Sequence, residues 1–314
     1  MPSAITHYLL AKKVKEQIKP RLYDDAFFCG AQGPDVLLLS RKLPLMLGKS
    51  IAEAGVDLHK ENPKKLFAMI GDYFSRYNND IIKSYIIGFI CHYALDSVCH
   101  PYIYSMVEDY RKTLNLPEKI TDSTLHAKVE TMLDVIILRT LENKEPTRLS
   151  LTKTFPVDPH MRSAVSAMYE YLISAENTGM SGGRLRSKVE QSFRDTRKVF
   201  KTLNNTLLYK TWLAGAAEKI LKKPMKYTSY IRPIMEDDDF DYSNSANQEW
   251  NNVITGAVSN QSFEDLFMLS SIRAVELVEA FLDGSIELVV GNVNFLGRLA
   301  DIPKEKAAAD SSMV

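Results

Sequence analysis

Charge of either sign is missing in excess: 39 basic side chains stand against 39 acidic ones. No bulk field recruits nucleic acid or an acidic membrane, so any such partner must be met locally. Cysteine is scarce, and its number, three, is odd. Cys91 and Cys99, if they share a helix, are separated by roughly 12 Å of rise, too far for a disulfide. The chain therefore reads as intracellular and reduced, with a cytoplasmic location expected. Its start, MPSAITHYLLAKKVKEQIKP, lacks an apolar core followed by a small-residue cleavage site, so no secretion signal is expected. Internal repeats and low-complexity tracts are absent, as is a His-Asp dipeptide, which argues against one class of helical phosphohydrolase. One long apolar run exists, residues 84–107, but three ionisable groups on one helical face make a membrane span expensive, and no transmembrane segment is expected.

Strict alternation of apolar and polar residues is also missing. Apolar positions recur instead at spacings of three and four, and 45% of the 314 residues are apolar, enough for a sizeable core. The fold class implied is all-α, a multi-helix bundle. Ser3 is placed to cap a first helix running to about Lys19, and Pro63 to open a third element over ENPKKLFAMIGDYFSRYNN. The turn formers Gly30, Gly33 and Pro34 put Asp35 on a tight loop. A long apolar helix is predicted from about Asn79 to Tyr110, with a bend at Pro101, then another capped by Thr121 or Asp122. Beyond residue 146, three amphipathic helices read as scaffold, over DPHMRSAVSAMYEYLISA, residues 187–223 and SFEDLFMLSSIRAVELVEAFLDG. The acidic stretch MEDDDFDYSNSANQEW reads as a solvated loop and residues 301–314 as a tail.

The least water-compatible stretch, GFICHYALDSVCHPYI, carries His92, Asp96 and His100 at i, i+4 and i+8, all on one helical face. Burying such groups costs several kcal/mol each unless something pairs with them, and a shared cation would offset that. Of the six histidines, five lie within the first 126 residues: His7, His59, His92, His100 and His126. His126 and Glu130 repeat the i, i+4 pairing on the next helix. Neutral imidazole with carboxylate is a ligand set that zinc takes. Asp134 continues the His126 face and reads equally as a partner for an imidazole N–H or as a surface acid. His160, behind Pro159, reads as a hydrogen-bonded core residue, and Cys99 as a core thiol.

THYLLA with His7, GPD with Asp35, LH with His59, GxxxHxxxDxxxHP at 88–101 and HxxxE at 126–130 resemble, in order and type, the zinc-dependent phospholipase C family. That group includes bacterial phospholipases C, the catalytic domain of a phospholipase D and single-strand nucleases. The resemblance covers about residues 1–140 and implies two or three zinc ions. It implies that Asp35, His59, His92 and Asp96 hold one ion and that His100, His126 and Glu130 hold another. Asp96 would bridge to the ion bound by His7, and Asp35 would also act as general base. The implied chemistry is phosphodiester hydrolysis, with a metal-bound water attacking phosphorus. The implied organisation is a metal-binding helical region over 1–145, a helical extension over 146–300 packed on it, and the tail.

The expected partner is a phospholipid or other phosphodiester, met in transient contact with a membrane surface. A nuclease on the same site would want basic and stacking residues around its cleft. The compact basic run GGRLRSK at 182–188 reads better as a helix start, so nucleic acid is not the expected partner. A third reading is a non-catalytic helical protein with structural zinc, which closed coordination would favour.

Overall fold

The computed structural model describes residues 3–43, 46–174, 182–204, 209–233 and 239–300. The tail expected at 301–314 lies outside them, as do residues 235–238 of the acidic stretch. Among the described residues the fold is all-α, its only sheet a two-stranded ribbon pairing Trp250–Asn251 with Val258–Ser259. In chain order the helices are α1 (Ala4–Lys15), α2 (Asp24–Gly30), α3 (Asp35–Leu38), α4 (Ala52–Lys60), α5 (Pro63–Arg76), α6 (Asp80–Thr113) and α7 (Asp122–Glu142). The second half adds α8 (Pro159–Ser174), α9 (Gly182–Leu203), α10 (Tyr209–Leu221), α11 (Phe263–Leu282) and α12 (Ile286–Val289).

The long helix α6 is the axis of the molecule, with α1, α2, α7, α8 and α11 packed around it. By length and hydropathy α6 would cross a membrane, but 78% of its most apolar window is buried inside the fold. Its apolar surface is thus consumed by the chain's own helices. The oxygen of Asn79 accepts the Ile82 N–H and caps its start, as Thr121 does for α7 through the Thr124 N–H. Missing side chains let α2 approach α6 closely: a Cβ on Gly88 would lie 2.0 Å from the Phe27 carbonyl oxygen, and one on Gly30 would lie 2.2 Å from that of Tyr85.

Several local expectations are corrected. Helix α1 stops at Lys15, and Ser3 does not cap it; its hydroxyl donates to Glu130 at 3.4 Å. Asp35 opens a short helix instead of sitting in a loop, and Pro63 starts the fifth helix, not the third. The segment 187–223 holds two helices, α9 and α10; α9 ends at Leu203, and the side chain of Asn204 after it accepts the Leu151 N–H at 3.2 Å. GGRLRSK does open α9.

The glycine packing is testable. Gly88→Ala forces α2 and α6 apart and lowers unfolding free energy by about 1–3 kcal/mol. Gly71→Ala on α5, where an added Cβ would meet nothing within 4 Å, raises it by up to about 1 kcal/mol. Denaturant titration of both variants checks this, and a similar response from the two would contradict it.

Candidate metal centre

The site is assembled from five helices and one turn. His7 lies on α1, Asp35 at the start of α3, and His59 in the last turn of α4. His92, Asp96 and His100 stand on α6, and His126 and Glu130 on α7. Gly33, just before Asp35, has φ +49°, and a Cβ there would lie 2.3 Å from Cδ2 of His92. The turn therefore needs glycine both for its backbone and to leave room for the imidazole. The Tyr169 hydroxyl on α8 donates to the Gly33 carbonyl at 2.7 Å and holds the turn in place.

The side chains collect into three groups, each with ligand atoms within 4.8 Å of one another: His7, His92 and Asp96; Asp35, His59 and His92; and His100, His126 and Glu130. Asp96 Oδ1 is 3.3 Å from Nε2 of His7, while its Oδ2 is 3.1 Å from Nε2 of His92 and 3.9 Å from Nε2 of His59. Asp35 Oδ1 lies 3.1 Å from Nε2 of His59, and Glu130 Oε1 lies 3.3 Å from Nε2 of His126. Although His100 shares a face of α6 with Asp96, its ligand atoms group with those of His126 and Glu130, the set that the resemblance named.

Three rings are oriented by backbone carbonyls, which can only accept: Nδ1 of His59 donates to Gly55 at 2.7 Å, that of His92 to Ala31 at 3.2 Å, and that of His100 to Phe295 at 2.5 Å. Consuming Nδ1–H leaves Nε2 of a neutral ring as a lone-pair donor, the arrangement that metal-bound histidines use. Two buried ring nitrogens, Nδ1 of His7 and Nε2 of His92, have no hydrogen-bond partner. The His92 contact to Asp96 is thus electrostatic proximity without hydrogen-bond alignment. The unpaired Nε2 of buried His92, 3.1 Å from an Asp96 oxygen, is what a bound cation would satisfy, so the residues fit a metal centre.

Electrostatics point the same way. Burial alone would raise all three carboxyls, yet the His59 hydrogen bond and the charges of His92 and His59 help hold Asp35 down to about 2. Burial is likewise outweighed at Asp96, lowered by the charges of His92, His100 and His7, and at Glu130, lowered by His126 and His100. Burial pushes His100 down towards the neutral form a ligand needs, whereas Asp96 and Asp35 outweigh burial and raise His92. The carboxylates are therefore ionised in a water-poor interior.

The second half of the chain is more than scaffold. Phe295, fully buried, places its ring 5.3 Å from that of His59 and 5.8 Å from that of His92, and its carbonyl holds His100. Sequence reasoning missed it, because a backbone carbonyl leaves no residue signature; the turn-forming Asn294 beside it was the available hint. Thr196 on α9 donates to the Val36 carbonyl at 3.0 Å and steadies the short helix that begins with Asp35. Asp134 fits neither reading offered for it. Fully buried, it accepts the N–H groups of Ile5 and Thr6 at 3.2 and 2.7 Å and the Thr6 hydroxyl at 2.8 Å, and it pairs with buried Arg232, whose Nε lies 2.7 Å away. It is a positioning residue, anchoring the start of α1 one residue before His7. His160 is exposed, not a core residue. Cys99 is a buried thiol beside Ser270, pushed up to about 12 by burial. A groove of about 220 Å³, lined by Tyr104, Val107, Glu108, Arg111, Asp122 and His126, opens beside the third group.

Two substitutions test this construction. Gly33→Ala displaces the His92 ring and lowers both melting temperature and metal content, while Gly183→Ala, with open space around it, changes neither. Asp134→Ala costs about 3–5 kcal/mol, since it strips a buried guanidinium of its carboxylate, whereas Glu108→Ala on the surface stays within about 0.5 kcal/mol. Chemical denaturation reads both, and equal small losses would refute the anchoring role.

No curated protein and no solved structure matches the chain. The family described as zinc dependent phospholipase C matches residues 6–179, more than half of the 314, and that span contains all eight residues of the three groups. The chain belongs to the zinc-dependent phospholipase C family.

Proposed function

We propose that this phospholipase C-like zinc hydrolase cleaves the phosphodiester of a phospholipid, with two or three zinc ions held by His7, Asp35, His59, His92, Asp96, His100, His126 and Glu130. The observation that carries the reading is the set of three buried imidazole–carboxylate groups, two of which share His92. Zinc in such groups supplies Lewis-acid polarisation of phosphoryl oxygens and acidifies a coordinated water towards a pKa of about 7. Asp96 directs one oxygen to His7 and the other to His92 and His59, which supports a bridging role between two metal positions. Asp35, whose carboxyl is held low by the neighbouring imidazoles and lies 3.1 Å from Nε2 of His59, is a weak base at neutral pH. Its contribution is to accept a hydrogen bond from the attacking water and orient it, passing a proton only transiently through Oδ.

Substrate approach is best accommodated by the groove beside His126. Its wall is stiffened by Arg111, which donates to the carbonyls of Pro117 at 3.2 Å and Ile120 at 2.6 Å and to Asp122 at 2.6 Å. On the other side of the cluster Phe295 and its turn exclude water. Three free and buried thiols, Cys29, Cys91 and Cys99, support a reducing, cytoplasmic setting.

Protein purified without added zinc is expected to carry about two or more zinc ions per chain, because eight donors exceed what one tetrahedral ion takes. Elemental analysis finding none, with no thermal stabilisation on adding zinc, would remove the site. Asp96→Asn is expected to lose more metal than His7→Ala, as a bridge serves two ions; equal losses would dismiss the bridge. Activity is tested with choline, ethanolamine and inositol phospholipids, a chromogenic diester and its monoester. The diester is expected to turn over faster than the monoester, with zinc required. Asp35→Asn at matched metal content is expected to lower kcat far more than it raises KM. Metal-replete protein inactive on every substrate would leave structural zinc as the function, and activity on single-stranded nucleic acid alone would make it a nuclease.

A further inference from the structure

Helix α10 is built inside out. At 100° per residue, Tyr209, Trp212, Leu213, Ala216 and Ile220 fall on one arc of about 100°, and that arc faces solvent: Trp212 is 71% exposed, Leu213 50% and Ile220 80%. On the opposite side, which also carries Thr211, Ala214 and Leu221, the residue turned inward is an acid. Glu218, only 8% exposed, turns inward and accepts the backbone N–H groups of Met225, Tyr227 and Thr228 at 3.1, 2.6 and 2.7 Å. An amphipathic helix of a water-exposed surface does the reverse, burying its apolar stripe. Leaving Trp, Leu and Ile in water is a standing cost of about 1.5–3 kcal/mol per large side chain relative to burial. A patch of this kind marks an interaction surface.

Charge identifies the partner. Across residues 209–228 there are five lysines, Lys210, Lys219, Lys222, Lys223 and Lys226, and the one acid is the inward-facing Glu218. Lys219, Lys222, Lys223 and Lys226 are exposed, and they make no ion pair among the described residues. An exposed Trp/Leu/Ile stripe flanked by such lysines is complementary to an anionic lipid surface, where apolar side chains enter the acyl boundary and lysines meet phosphate. A protein partner that buried the apolar stripe alone would leave those ammonium groups uncompensated.

The attachment of α10 ties this surface to the metal centre. Glu218 pins the turn Thr228–Tyr230, which packs on α7. Arg232, two residues after that turn, pairs with Asp134 on α7. We propose that α10 is the element by which this protein docks on anionic bilayers, bringing the α7 side of the metal centre to the lipid. The inference deepens the phospholipid reading, which supplies the substrate, but its test needs no turnover.

The full chain is mixed with vesicles of phosphatidylcholine alone or with added phosphatidylserine, and binding is read within seconds by cosedimentation and tryptophan emission. Trp250 is 5% exposed, so an emission change reports on Trp212. Expected are a blue shift and quenching by brominated acyl chains with the anionic vesicles, weakening as salt is raised. Leu213→Glu with Ile220→Glu is expected to reduce binding about tenfold or more while leaving hydrolysis of a soluble chromogenic diester unchanged. Lys222→Glu with Lys223→Glu is expected to remove the preference for anionic vesicles, and Trp212→Phe to abolish the spectral shift while binding persists. The proposal is overturned if neither vesicle is bound, if both are bound equally, or if the two double glutamate variants bind like the parent. It also fails if iodide cannot quench Trp212 in lipid-free protein, whether a second copy, seen as a dimer, or the chain's own segment covers the helix. Binding without any diester hydrolysis would sink the catalytic reading and leave the docking surface standing.

Discussion

A carboxylate deep in an apolar helix sets the terms for this molecule. Asp96 is 7% exposed, on a helix most of whose other side chains are buried in the core. An ionised carboxylate there carries a desolvation penalty of several kcal/mol, which the charges of His92, His100 and His7 oppose. Pairing alone does not satisfy the group, because Nδ1 of His7 and Nε2 of His92 remain without hydrogen bonds. A cation coordinated by both kinds of side chain would satisfy the carboxylate and the nitrogens together, which is why binding of metal and stability of the fold are expected to be coupled.

Much of the surrounding architecture serves the direction in which imidazole nitrogens point. Carbonyls of Ala31, Gly55 and Phe295 each take an Nδ1–H, and Gly33 withholds a side chain so that the His92 ring has room. Asp134 secures the start of α1, and with it His7, through backbone N–H groups where the helix dipole favours a negative charge. These constraints come from segments far apart in sequence. The second half of the chain supplies Tyr169, Thr196, Arg232 and the turn at Phe295, so the metal centre depends on residues well beyond its donors.

The same division of labour explains the surface. Helix α10 does not add its apolar stripe to the core, and its one acid is turned inward to hold the next turn. Under the proposed reading the substrate lies in a bilayer, and α10, which reaches α7 through the Thr228–Tyr230 turn, would couple contact with that interface to the groove beside His126.

What the sequence by itself determined was the helical class, through apolar spacing at three and four, and the donors. His92 and Asp96 on α6, and His126 and Glu130 on α7, were legible because i, i+4 places side chains on one face whatever the tertiary fold. Their collection with His7, Asp35 and His59 followed from the order of motifs, not from geometry. The grouping of His100 with His126 and Glu130 was named by the resemblance, and the tertiary structure supplies its physical reason: helix packing, not spacing along α6, sets distances between elements. Only the tertiary structure revealed Phe295 and the ion pair of Asp134 with Arg232, since a carbonyl has no residue identity and a contact spanning 98 residues leaves no local pattern. The outward stripe of α10 was hidden for a related reason: periodicity says that a helix has an apolar face, but only packing says which way that face looks.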